Sequence, residues 1–313
     1  MTSTAIPADE DIPQRSRPTG WKAIFRNARE LRAGWSLLLF ALIYTVLSAG
    51  ATFLLQKILG GLPQGWSPGA FSAAEGVSLA GVLAALAVLA GIERRSFAAY
   101  GVALRAGFGT RFGEGSLWGI GASAATVLAI ATAGGYSVSG LALHGGALVL
   151  SALLWTLAFL LVGISEEILF RSFPLFTLAR GLGFWTGAVL LSVFFGALHY
   201  YTKPMETWVD GVSVGLIGLF LCLTVRRTGD IWFAVGFHFT FNFVSMAVCG
   251  SPNTGNEGHP LPGHLLAGTF HGPAWLTGGP MGAEASALVF PILALLFCLF
   301  LLRFRTVRFP APE

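Results

Sequence analysis

Charge is scarce in this chain. Of 313 residues only 11% are Asp, Glu, Lys or Arg, 54% are apolar, and mean hydropathy is +0.71. A soluble globular domain carries about a quarter of its residues as charges, so that class is excluded. Cysteine is scarce too. Cys222, Cys249 and Cys298 each lie in or at the end of an apolar run, without the loop-borne, even-numbered spacing of a disulfide framework, and read as small packing residues. No His-Glu-x-x-His and no Gly-x-Ser-x-Gly occurs, so neither a zincin helix nor an acyl-enzyme elbow has support. The net charge of +4 is not a nucleic-acid signal, because its placement follows membrane topology.

What the chain has instead is long apolar runs and 41 glycines, which suit close helix packing in lipid. The runs fall at about 33–55, 76–92, 116–134, 147–164, 184–199, 211–225, 231–248 and 285–302. Several are shorter than the roughly 20 residues of a straight span, and 211–225 is the least clearly marked. The expected fold is an all-α polytopic membrane protein of about eight transmembrane helices. Residues 1–32 form a polar, basic N-terminal segment, expected to be disordered over Thr2–Pro18 and helical at the interface over Trp21–Leu31. Residues 33–308 read as one membrane domain and 309–313 as a tail. Ala49-Gly50-Ala51 mimics a signal-peptidase site, but the run containing it is too long for a signal core and further spans follow. It therefore reads as a retained first helix.

The basic residues test this count. With a cytoplasmic N-terminus, the inside segments hold Arg15, Arg17, Lys22, Arg26, Arg29 and Arg32, then Arg94, Arg95, Arg105 and Arg111. They continue with Arg171 and Arg180, Arg226 and Arg227, then Arg303, Arg305 and Arg308. That is seventeen, against Lys57 and Lys203 outside. An error of one span would scramble the alternation, so both termini are predicted cytoplasmic. The outer loop from Gly250 to Glu284 carries His259, His264 and His271 but no Lys or Arg; histidines so scattered read as solvated rather than as metal ligands.

Against this apolar background a few polar groups stand out. The fourth run ends in Ser165-Glu166-Glu167-Ile168-Leu169-Phe170-Arg171. Charges at membrane depth cost a few kcal/mol each or more and are rarely kept there without a task. On a helix Glu167 and Arg171 are i,i+4 neighbours that can pair, while Glu166 points about 100° away and stays free. The bland reading is a buried ion pair fixing a helix contact. His199 closes the fifth run in Phe195-Gly196-Ala197-Leu198-His199, and His238 and Asn242 share one face of the seventh. Glu166 precedes Leu182 by sixteen residues and His199 follows it by seventeen. A helical hairpin around Arg180–Gly183 would thus set both roughly 24–26 Å from its tip. For His238 to join them, the tip must project about two turns beyond the inner face.

A carboxylate, two imidazoles and an amide suit water activation. Glu166 would be the general base, and Asn242 with one histidine would stabilise an oxyanion. Alternatively Glu166, His199 and His238 would ligate Zn²⁺ and leave a position for water. Sequence leaves both open, so the cofactor is zinc or none.

These residues resemble the CPBP family, of CAAX proteases and bacteriocin-processing enzymes, also called Abi. Its pattern is Glu-Glu-x-x-x-Arg, then Phe-x-x-x-His, then His-x-x-x-Asn on separate membrane helices. Glu166-Glu167-x-x-x-Arg171, Phe195-x-x-x-His199 and His238-x-x-x-Asn242 match in order, and the similarity covers about residues 145–250, from the fourth to the seventh run. The resemblance implies an intramembrane endopeptidase, described in this family both as a metalloprotease and as a metal-free, glutamate-dependent enzyme. Glu166 would activate water, His199 would assist proton transfer or hold that water, and His238 and Asn242 would hold the oxyanion. Glu167, Arg171 and Phe195 would support the site. Eukaryotic relatives trim prenylated CAAX proteins, whereas this chain resembles bacterial members, for which such substrates are not expected. The expected partners are membrane lipid and a peptide or membrane-protein substrate near the inner face of a bacterial cell membrane, without nucleic acid. The sequence says nothing of oligomeric state. Two rival readings are a non-catalytic scaffold or immunity protein, and a small-solute transporter, since intramembrane Glu and His also mark proton pathways.

Overall fold

A computed structural model describes residue 25, residues 31–59 and residues 66–310. The interfacial helix expected over Trp21–Leu31, the polar stretch before it and residues 311–313 lie outside these, apart from Phe25 and Leu31. The described residues fold as an all-α membrane bundle. Its helices are α1 (Ala33–Leu59), α2 (Pro68–Glu93), α3 (Thr110–Thr132), α4 (Gly145–Arg171), α5 (Phe173–Leu182), α6 (Phe184–Thr202) and α7 (Trp208–Thr228). They are followed by α8 (Trp232–Asn242), a short α9 (Ala274–Thr277) and α10 (Val289–Arg303). Among the described residues six helical stretches are long and apolar enough to cross a membrane, α4 and α5 counting together; α8 and α10 are apolar but shorter. Each of the eight expected runs lies largely within one of these helices. The run 211–225 reads poorly because α7 threads the interior, where Asp210, Ser213 and Thr224 are buried among protein rather than exposed to lipid.

The fourth run departs from the expected hairpin. Helix α4 ends at Arg171, and Ser172 takes a non-helical backbone (φ −96, ψ −113) before Pro174 opens α5. Pro174 lacks the N–H that would bond back to the Phe170 carbonyl, so the α4 ladder cannot run on through it. Ser172 turns its hydroxyl to the Tyr100 carbonyl at 2.8 Å instead. The projecting tip is thus a separate amphipathic helix. The Ile231 N–H bonds to the Gly101 carbonyl, and Gly101 sits against the Phe176 ring. The α7–α8 turn therefore lies beside the middle of α5, and the α5–α6 tip extends about 9 Å past it.

The two ends of the bundle are chemically distinct. At one, Glu93 accepts hydrogen bonds from Tyr100 (2.7 Å) and Arg180 (2.9 Å) and is within reach of Ser36 (3.3 Å), tying together α1, α2 and α5. Arg226 and Arg227 meet the segment after α10 at this end. At the other end the connections are folded onto one another. A short antiparallel ladder, unforeseen in the sequence, pairs β1 (Tyr136–Leu141) with β2 (Leu266–Phe270). Trp155 and Ser151 of α4 donate to the carbonyls of Pro262 and Gly263. Thr254 donates to Glu206, and Trp66 packs on Gly255. The segment from 250 to 288 is therefore a cap over this end.

Helix α8, which carries His238 and Asn242, is pinned against α3. A side chain at Gly236 would collide with the Phe112 carbonyl, so only glycine permits this approach. The closeness lets the Thr240 hydroxyl donate to the Ser116 carbonyl at 2.8 Å.

Candidate active site

Five helices converge on a cavity of about 200 Å³, lined by Glu75 (α2), Glu166 (α4), Phe195 and His199 (α6), and His238 and Asn242 (α8), among others. Val214 and Ile217 of α7 form part of its wall. Glu167 and Arg171 lie behind this lining, with side chains 0% and 1% exposed.

Helical spacing explains how adjacent glutamates come to differ. Arg171 Nη1 lies 3.2 Å from Glu167 Oε1, the expected i,i+4 pair. The guanidinium also stacks over the Phe195 ring, 4.3 Å from its centroid. A buried pair like this adds little net stability, but removing one partner leaves an uncompensated charge at about 3–5 kcal/mol. Glu166, one residue earlier, turns toward the cavity with its side chain 28% exposed. Its Oε2 has no protein hydrogen-bond donor among the described residues.

The same Glu167 oxygen also receives His238, whose Nδ1 lies 2.8 Å from Oε1. An ionised carboxylate can only accept, so Nδ1 carries the proton and Nε2 faces the cavity. That Nε2 lies 3.8 Å from Glu166 Oε2, beyond direct hydrogen bonding. The sequence reading anticipated the Glu167–Arg171 pair but not that Glu167 would orient His238. His199 is fixed in a parallel way: its Nδ1 lies 3.0 Å from the Phe195 carbonyl. A carbonyl accepts, so here too the proton is on Nδ1 and Nε2 bears the lone pair. The Phe195 ring packs edge-on against His199, centroids 4.5 Å apart, and also lies under the Arg171 guanidinium. This gives the Phe-x-x-x-His spacing its physical meaning.

The arrangement bears on the zinc alternative. Among the described residues no three His, Cys, Asp or Glu side chains are grouped so as to hold a metal ion, whether Glu166, His199 and His238 or the loop histidines. His264 and His271 instead turn Nδ1 to the carbonyls of Leu261 and Thr269.

Four cavity residues with charged or amide side chains escaped sequence reasoning as site residues: Glu75 of α2, Lys203, Asn253 and Glu284. Glu75 directly precedes an apolar run, and a lone carboxylate so placed was a usable signal. The others come from loops whose folding over the cavity no local pattern announces. Burial pushes the Glu284 carboxyl above the usual carboxylate range; Lys203 opposes the shift and Glu206 adds to it. One further expectation needs correction: Arg171 is not in a loop but buried beside Glu167. The cavity's loop-borne lining, Trp66, Lys203, Asn253 and Glu284, comes from the end of the bundle remote from the other described arginines.

A carboxylate and two tautomer-fixed imidazoles thus meet in one cavity of an apolar helical bundle. Residues 148–244 match the family model described as type II CAAX prenyl endopeptidase Rce1-like. The match spans α4 to α8, includes all seven residues of the three motifs, and is consistent with a CPBP-family intramembrane protease. No curated protein and no solved structure matches the chain.

Proposed function

We propose that the chain is an intramembrane endopeptidase that hydrolyses a peptide bond of a membrane-associated peptide or protein with water activated by Glu166. The observation that carries this reading is the difference between the two glutamates: Glu167 is committed to Arg171 and His238, while Glu166 faces the cavity with an unbonded oxygen. Glu166 takes a proton from water as the water attacks the carbonyl, and returns it to the departing amine. His199, whose Nε2 lone pair remains when Nδ1 binds Phe195, accepts the water's second hydrogen and orients it. The Asn242 amide, one turn from His238 on α8, donates to the oxyanion. His238 can donate to it from Nε2 only as an imidazolium, a charge that would lie between the Glu166 and Glu167 carboxylates. Since the donor set does not form a metal site, no step is routed through zinc.

The basic-residue asymmetry supports an orientation with both termini cytoplasmic, and the likeness to bacterial family members supports a bacterial cell membrane. Residues 33–308 act as one membrane domain in this reading. A library of membrane-anchored peptides, assayed with detergent-purified wild type, Glu166→Ala and His199→Ala, tests the reading. Cleavage lost in Glu166→Ala and strongly reduced in His199→Ala supports it. Cleavage that survives both variants removes the mechanism, and no cleavage by wild type of any peptide favours the scaffold.

A further inference from the structure

The cavity reaches only one end of the bundle. Every arginine among the described residues except Arg171 lies at the other end: at the start of α1, between α2 and α3 or in the first turn of α3, near the α5–α6 tip, in the α7–α8 turn, or from the end of α10 onward. These segments are mutually in contact, as Glu93 with Arg180, Ile231 with Gly101 and Arg308 with Arg226 show. No residue of theirs lines the cavity. Between them and the cavity stands a packed apolar layer that includes Phe173, Phe220 and Phe233, each 0% exposed, and Ile168. A polar peptide segment cannot cross such a layer without losing its backbone hydration, at several kcal/mol per unsatisfied group.

At the opposite end the lining comes from connections: Trp66 before α2, Lys203 after α6, and Asn253 and Glu284 from the cap. The only lysines among the described residues, Lys57 and Lys203, are also at this end. Arginine- and lysine-rich short loops stay on the cytoplasmic side, so the arginine end is cytoplasmic and the cavity mouth is not.

We propose that the site is entered from the non-cytoplasmic face, beneath the 250–288 cap, and that its substrate is a peptide segment exposed on that side of the membrane. The substrate class rests on the endopeptidase reading above; the direction of opening does not. A lipid-modified tail on a cytoplasmic protein is the wrong substrate for such a mouth.

The test uses the full chain in cells. In a background with Cys222, Cys249 and Cys298 replaced by Ser, single cysteines are introduced as Ser139→Cys on exposed β1, Trp66→Cys at the mouth and Thr306→Cys at the arginine end. A membrane-impermeant maleimide is applied to right-side-out and to inverted membrane vesicles. Ser139→Cys and Trp66→Cys are expected to label in right-side-out vesicles only, and Thr306→Cys in inverted vesicles only. The reverse pattern, or Trp66→Cys labelling together with Thr306→Cys, overturns the proposal. The Ser-background protein without added cysteine sets the blank. Vesicles that label as expected but cleave no peptide from either face count against the protease reading alone, whereas cleavage only of peptide offered at the cytoplasmic face overturns the opening proposed here.

Discussion

His238 Nδ1 lies 2.8 Å from Oε1 of Glu167, not of Glu166, and that one choice divides the labour between adjacent carboxylates. Glu167 fixes a ring and a guanidinium; Glu166 is left facing the cavity. Glu167→Gln should therefore fail in two ways. It leaves Arg171 without its anion, lowering stability by about 3–5 kcal/mol, and it no longer holds the His238 tautomer. Thermal unfolding in detergent measures the first loss and peptide cleavage the second; a variant with wild-type unfolding temperature would show that the buried pair does not form.

Gly218 of α7 gives the Arg171 guanidinium its space. A Cβ there would lie 2.8 Å from Nη2 and 3.3 Å from the Phe195 ring. Gly218→Ala is expected to cost about 1–3 kcal/mol through overpacking. It should also reduce cleavage by tilting Phe195 and, with it, His199. Unchanged kinetics in a destabilised protein would mean that Phe195 and His199 are not coupled.

Since no three donors are grouped around a common point, the hydrolysis proposed here does not depend on zinc. Treatment with a strong chelator followed by metal analysis should leave cleavage within a factor of two or so of the untreated protein. Proportional loss of metal and activity, restored by zinc, would overturn the metal-free route.

Glu284 supplies a pH signature at the cap. Burial holds its folded-state pKa above the unfolded value, against Lys203 and with help from Glu206. The stability it contributes is complete below the ordinary carboxylate value of about 4.3 and is lost as pH rises through the folded value. Glu284→Gln, which stays neutral, should therefore gain in unfolding temperature relative to wild type as pH is raised from about 5 to about 8. A difference that stays constant or shrinks over that range contradicts the assignment.

The parts of this protein that were legible in sequence are those governed by local spacing against an apolar background. Eight runs became helices, and the i,i+4 intervals put Glu167 by Arg171 and aligned His238 with Asn242. Phe195 stood four before His199, but its contact with Arg171 needed the tertiary crossing of α4 and α6. Ser172 was unreadable as a helix end because only Pro174, two residues on, marks the break. The cap was hidden for a different reason: Asn253 and Glu284 approach the cavity through loop folding, which leaves no periodic trace. The end at which the cavity opens depends on that cap, which residue counts along a hairpin do not contain.

The most direct measurement is the cleavage rate of Glu166→Gln against wild type on one membrane-anchored peptide, with unfolding temperature recorded for both. Glu166 is partly exposed and its Oε2 makes no protein hydrogen bond, so stability should change little while kcat falls about 10²–10⁴-fold, the usual worth of a general base. A kcat within a few-fold of wild type in a stably folded variant would contradict water activation by Glu166.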